Sequence, residues 1–311
     1  MSPFVEDAYT GVIGAIAPVE VLIGGNFMAI FTNQATLTYN GTTTNSNIAV
    51  GEILEVLVAT KTAVEETYTP GDLVTYVVTL RNTGAAPLAG LTVTDDLGAY
   101  PVGGNLVYPL TYEPGTATLY VNGVLQADPA VIPGPPLQIT GLTVPAGGNV
   151  VLIYQARANA VADPEVGGQI VNTITVTGDG LNAPVTATET VVVAERAELA
   201  ITKTITPTQV VDNDRVTYTF VIQNRGNIPV VATDNAVVTD TFNPILTGLV
   251  VTLDGVTLTE GVQYTYNEVT GLFQTLPGQI TVPAATYTQD PVTGEYTGTP
   301  GITVLVVEGT I

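Results

Sequence analysis

Apolar and polar side chains alternate one for one along most of this chain, in runs of about five to eight residues closed by turn-forming pairs. Val216-Thr217-Tyr218-Thr219-Phe220 is the plainest example. A period of two places one row of side chains on each face of a β-strand. Asn40-Gly41, Asn122-Gly123 and Asp254-Gly255 lie between such runs, and these dipeptides are strong signals for two-residue hairpins. No window sustains a helical period. The pattern predicts an all-β chain in which each repeating unit is a two-sheet antiparallel sandwich.

The alternation repeats on a larger scale. Lys61, Asp72, Val74, Tyr76, Asn82 and Gly84 recur as Lys203, Asp214, Val216, Tyr218, Asn224 and Gly226, each pair offset by 142 residues. Further on, Thr94-Asp95 answers to Thr239-Asp240, and Thr143-Val144-Pro145 to Thr281-Val282-Pro283. Such repetition marks two domains. The first repeat goes on through Ile170-Val171-Asn172-Thr173-Ile174, a turn at Gly178-Asp179-Gly180 and a return strand near 185–193. The second stops before this hairpin. A segment of the same pattern lies instead near the N-terminus: 31–39, the turn Asn40-Gly41 and a return strand at 48–58. The expected organisation is an arm at 1–28, a donor hairpin at 29–58, a sandwich at 59–196 and a second sandwich at 197–311 lacking its last hairpin. Deprived of that hairpin, the second sandwich exposes a strand edge and an apolar cleft. The 31–58 segment of a neighbour is expected to fill it by strand addition, through Phe31, Ala35, Leu37, Tyr39 and Ile48. A contact between two different surfaces propagates head to tail unless it closes into a ring.

Composition narrows the function. Only 11% of residues are charged and the mean hydropathy is +0.37. The net charge of −21 argues against nucleic acid or anionic membrane as partners. With no cysteine and no histidine, disulfides, thiolate metal sites and most nucleophile–base pairs cannot be built. No cofactor or metal is expected, and no enzyme activity. The apolar stretch 11–25 is broken by Pro18 and Glu20 and follows acidic residues, so it reads neither as a signal peptide nor as a membrane span. The arm is expected to lie extended along a neighbouring subunit.

Both lysines of the chain, Lys61 and Lys203, occupy one repeat position, and alternation places each on an apolar face. The same count turns Asn172 and Asn33, and Asp95 and Asp240, inward. Burial favours the neutral amine and the protonated carboxyl. These are the ingredients of a spontaneous Lys–Asn isopeptide bond, the acid polarising the carbonyl as ammonia leaves. Lys61 is expected to bond Asn172 with Asp95 as the acid, and Lys203 to bond Asn33 of the next subunit with Asp240. A buried Lys–Asp ion pair, or a lysine that snorkels out at a strand end, is the alternative. Asp212-Asn213-Asp214 reads as a turn rather than a calcium loop.

The runs 71–84, 91–95 and 171–176, matched in the second repeat at 216–220, 224–227 and 237–240, resemble the repeat domain of bacterial surface proteins labelled domain of unknown function eleven. That resemblance spans about residues 57–311. It implies tandem immunoglobulin-like sandwiches, an extracellular place on a cell or spore surface, and no catalysis. Identical subunits in an open polymer are the expected partners, with a surface anchor protein besides. An adhesin or binding module is the alternative to a filament subunit.

Overall fold

Val74, Tyr76, Val78 and Leu80 share one face of the strand Leu73–Asn82 and are all buried, while Leu73, Thr75, Val77 and Thr79 between them are only partly so. The same arithmetic governs Asn149–Ala158, Gln169–Thr177, Arg215–Asn224 and Gly301–Thr310. In the computed structural model, which describes residues 19–23 and 26–311, these strands build two antiparallel immunoglobulin-like sandwiches with separate cores.

In the first sandwich one sheet runs, in spatial order, Val124–Leu125, Thr118–Val121, Asn149–Ala158, Leu73–Asn82 and Leu57–Ala63. The facing sheet runs Ala130–Ile132, Leu137–Val144, Leu88–Asp95, Gln169–Thr177, Val185–Val193 and Thr67–Tyr68. Its last hairpin covers the strand Leu57–Ala63, where Leu57 is 3% exposed. In the second sandwich Leu199–Thr206, Arg215–Asn224, Gly301–Thr310 and Thr247–Leu253 reproduce the first sheet in the same order. The opposing layer is reduced to Thr239–Thr241, Leu272–Thr275 and Tyr264–Asn267, with a bridge between Val230 and Val282. Among the described residues, Gln169–Thr177 and Val185–Val193 have no counterpart there.

Each sandwich is pinned by an Asn-x-Gly corner at the matched repeat position. Asn82 accepts from the Gly84 amide and donates to the Ala86 and Val144 carbonyls. Asn224 accepts from the Gly226 and Glu198 amides and donates to the carbonyls of Ile228 and Pro283. Both side chains are buried and satisfied, as burial of an amide demands. At the three turns read from the sequence, both central residues have positive φ: 47° and 77° at Asn40-Gly41, 49° and 78° at Asn122-Gly123, 47° and 79° at Asp254-Gly255. These are the primed turns whose twist matches the strands they join. Asp212-Asn213-Asp214 is a turn too, closed by the Asp214 carboxylate on the Val211 amide.

Three boundaries differ from those expected. The return strand of the N-terminal hairpin starts at Ala49 rather than Ile48, because two residues of the outgoing strand face three at 46–48. The extra residue sits in the return strand, held by the Ser46 hydroxyl on the Ala35 amide, so the outgoing strand keeps its alternation. Leu57 and Val58 belong to the first sandwich and not to the hairpin, since Leu57 is core. Within the arm, Val19–Ile23 pairs with 26–30 of the same chain, making the hairpin a three-stranded sheet with Ala49–Leu54. The expectations for 1–18 and 24–25 lie outside the described residues.

The loop at 163–165 meets the second sandwich. Pro164 is buried, its carbonyl accepts from Asn227 of the second sandwich, and the Asp163 carbonyl accepts from Tyr68. Asn227 also donates to Ala194, Gln289 to the Tyr100 hydroxyl, and the Tyr296 amide to Ala160. These bonds join the end of the first sandwich that carries Tyr68 to the second.

Leu57 and Leu199 hold the same repeat position, yet Leu199 is 47% exposed. In the unassembled subunit, Leu57→Ala should lower the unfolding free energy by about 2–5 kcal/mol, whereas Leu199→Ala should change it by no more than about 0.5 kcal/mol. Urea titrations of the two variants measure the difference.

Candidate functional site: two lysine clusters and an uncovered strand

Leu57–Ala63 lies at the edge of its sheet and turns Leu57, Ala59, Lys61 and Ala63 toward the facing layer. The Lys61 side chain is fully buried, and its ammonium donates to Asp95 Oδ2 at 2.8 Å. Asp95 ends the strand Leu88–Asp95 of the opposite sheet, so the pair spans the sandwich. The other carboxylate oxygen accepts the Leu97 amide at 2.7 Å, and the Tyr154 hydroxyl donates to Oδ2 as well. Lys61 Nζ stands 4.6 Å from the Tyr76 ring centre, on the ring face. Tyr76 and Tyr154 are directly paired across neighbouring strands, ring centres 5.8 Å apart. Burial holds the Lys61 pKa below its usual value, opposed by the Asp95 charge and hydrogen bond. It pushes the Tyr76 and Tyr154 hydroxyls up.

Asn172 comes to this cluster from the next strand. Ile174 pairs with Asp95, and Asn172, two residues before it, lies on the same inward face of Gln169–Thr177. Its carboxamide is wholly buried, and neither Oδ1 nor Nδ2 has a hydrogen-bond partner. The Tyr76 hydroxyl lies beside it, also without a bond of good geometry. An orphaned buried amide costs about 1–3 kcal/mol. The satisfied Asn82 and Asn224 of the same molecule show how the fold treats an ordinary buried asparagine.

The second cluster is the first one left open. Lys203 donates to Asp240 Oδ2, but 39% of its side chain is exposed. Three rings surround the amine, those of Tyr218, Phe242 and Phe220 at 4.5, 5.3 and 5.4 Å from their centres. Val307 occupies the cross-strand place that Tyr154 holds in the first sandwich. Beside Lys203 the face is bare: Leu199 and Ile201 border an apolar cleft closed below by Ile222, Val238 and Ile280.

The remaining sequence-predicted residues lie in the N-terminal hairpin. Phe31, Ala35, Leu37, Tyr39 and Ile48 are all exposed, Ile48 in the irregular stretch before the return strand. Asn33 pairs with Ala49 and Phe31 with Gly51, where Asn172 pairs with Glu189 and Ile170 with Val191. The Phe31 ring covers Gly51 so closely that a Cβ there would lie 2.3 Å from it. A larger residue on one strand is thus met by a smaller one on the other. Alternation had placed Lys61, Asp95 and Asn172 inward, where they are buried, whereas the part of Tyr154 was not legible. Its signal was its place directly across from Tyr76.

Among the described residues no group of three His, Cys, Asp or Glu could hold a metal, and no helix is long and apolar enough to cross a membrane. No protein-family model matches the chain. No curated protein matches it by sequence. Solved structures with a distant likeness include the major pilin subunit of Bacillus cereus, 12% identical, TM-score 0.33, covering 89% of this chain and 74% of that one. A C-terminal fragment of the major pilin of Streptococcus agalactiae is 13% identical, TM-score 0.33, covering 79% and 91%. The collagen-binding domain of a Staphylococcus aureus adhesin is 12% identical, TM-score 0.29, covering 43% and 97%. Likeness at this level leaves the functional reading to the chain's own geometry.

While Lys61 remains a free amine, its lowered pKa has a measurable consequence. The folded state sheds this proton before the unfolded state does, so the burial penalty relaxes as pH rises toward the ordinary 10.5. The raised tyrosine pKa values act oppositely, but only above their ordinary 10.0. In an Asn172→Ala subunit the unfolding free energy should therefore climb as the pH rises toward the ordinary lysine range. Adding Lys61→Met should flatten the climb in urea titrations across that range.

Proposed function

We propose that this protein is the structural subunit of an extracellular filament, built head to tail by donating the 26–54 hairpin to the second sandwich of the next subunit. One observation carries the reading. Positions that the last hairpin buries in the first sandwich, Leu57 among them, are bare at Leu199 and Ile201 in the second, while a hairpin of matching pattern stands with its apolar row exposed. Docking that row should contribute about 1.5–3 kcal/mol for each large side chain covered.

Geometry favours a neighbour over the chain's own hairpin. In the first sandwich the tip of the last hairpin, at Gly180 and Leu181, sits beside Glu55 and Leu57, the end where the chain enters. A hairpin seated likewise in the second sandwich has its tip at the joint between the sandwiches and its base at the far end. The chain's own hairpin is tethered at the opposite pole, where the strand Leu57–Ala63 begins about 23 Å from the joint side. The two residues between Leu54 and Leu57 reach only about 10 Å. A donor from another subunit meets no such limit, and because donor and acceptor surfaces differ, the contact propagates unless it closes into a ring.

Within each subunit, Lys61 and Asn172 are read as joined by an isopeptide bond, with Asp95 as the acid. Support comes from the unpaired Asn172 amide in a core whose other buried asparagines are satisfied. Such a staple locks the first sandwich between its first strand and its last hairpin. The resemblance to bacterial surface-protein repeats and the place on a cell or spore surface belong to this same reading.

Deleting residues 1–54 should leave soluble monomers that keep the Leu57 strand, and negative-stain microscopy of wild type beside the truncation tests this; fibres from the truncated chain sink the donor role. The intact mass of the wild-type subunit should fall short of the sequence mass by one ammonia. Asn172→Leu should then lower the melting temperature by removing the staple, whereas an unbonded, merely unsatisfied amide would be improved by an apolar replacement.

A further inference from the structure

The second sandwich holds an amine and an acid on an uncovered face, and the donor hairpin carries an asparagine where the first sandwich carries Asn172. We propose that docking itself switches on a covalent weld: the hairpin of one subunit closes over Lys203 of the next, and Lys203 Nζ then bonds Asn33 Cγ. The proposal rests on the filament reading and adds to it the event that makes each junction permanent.

Three observations support the placement. Asn33 stands in the outgoing strand with Phe31 and Ala35 on its face, as Asn172 stands with Ile170 and Ile174. The reciprocal exchange of Ile170 and Val191 for Phe31 and Gly51 keeps that layer filled while the strands stay paired. On the acceptor side, Lys203 already donates to Asp240 and lies against the rings of Tyr218, Phe220 and Phe242. Against the first cluster, the covering layer, the carboxamide and the hydroxyl of Tyr154, whose place Val307 takes, are wanting among the described residues.

The gate follows from the exposure of Lys203. A solvated ammonium has no free electron pair to attack with, so bond formation waits until the hairpin has expelled the water. In the dry junction a proton passes from Lys203 Nζ to Asp240, leaving amine and carboxylic acid. Nζ attacks Asn33 Cγ while the acid donates to the carbonyl oxygen. The Nζ–Cγ bond forms, the Cγ–Nδ2 bond breaks, and Nδ2 leaves as ammonia with a proton that Nζ gives up. Asp240 ends as it was in the acid–amine pair. One amine and one carboxamide become one secondary amide and ammonia, with no oxidant, cofactor or energy source. Lys61 needs no such trigger because its own hairpin is in the same chain.

The full-length chain tests this when fibre formation and covalency are read separately. Fibres are scored by electron microscopy in native buffer, then boiled in detergent for a denaturing gel and digested for mass spectrometry. Wild type should give a ladder of multimers, branched peptides joining Lys203 to Asn33, and the loss of a second ammonia per junction. Asn33→Ala and Lys203→Met should still form fibres that collapse to monomers on the gel. Amine acetylation of unassembled wild-type chain should modify Lys203 while sparing Lys61, and should abolish the ladder. Wild-type fibres that dissolve wholly to monomers overturn the weld and leave the filament standing. A ladder that survives Asn33→Ala overturns the assignment of Asn33. Failure to find fibres of any kind in native buffer removes the filament reading and the weld together.

Discussion

A β-sandwich is stable only when the inward face of each sheet is covered by the other, and the strand that opens each repeat here depends on the last hairpin for its cover. In the first sandwich Gln169–Thr177 and Val185–Val193 supply it, and Leu57 and Lys61 are buried. In the second the same strand is present, in the same register with its neighbour, and its inner row is wet. The two halves therefore act as an internal comparison: nearly the same strand sequence, with one layer added or withheld. An uncovered apolar face beside a free strand edge is an aggregation hazard in most proteins. The proposed function makes it the specific contact.

The lysine adds a second constraint. An ammonium inside a sandwich is tolerable only with a counter-charge and full hydrogen bonding, and a buried ion pair is rarely better than an apolar pair of the same volume. Lys61 has one carboxylate oxygen and the face of the Tyr76 ring, while Asn172, beside the Tyr76 hydroxyl, has nothing. Held as separate charges and dipoles these groups weaken the core. Joined as an amide, the ammonium and Asn172 Nδ2 would both be gone, and the remaining carbonyl oxygen could accept from Asp95 in its protonated form.

Much of this was legible in the chain itself. The alternation at 216–220 and its relatives required strands, the Asn-Gly and Asp-Gly pairs required tight hairpins, and the 142-residue offset required two units built alike. Parity alone turned Lys61, Asp95 and Asn172 to one interior, because in an extended strand a side chain's face follows from counting. Counting failed where the count is broken. The extra residue at 46–48 moved Ile48 out of its strand, and the core position of Leu57 shifted the domain boundary.

Tertiary structure decided what lies across a gap rather than along a strand. The pairing of Tyr76 with Tyr154 joins segments 78 residues apart, and it delivers the hydroxyl that bonds Asp95. That Asn172 lacks any partner, that Pro164 is buried at the joint, and that the N-terminal hairpin leaves from the pole opposite that joint are all facts of packing. The sequence alone determined the faces, the turns and the repeat, since these depend on neighbours along the chain. Only the folded molecule decided cover, exposure and polarity, because those depend on which distant strand comes to lie on top.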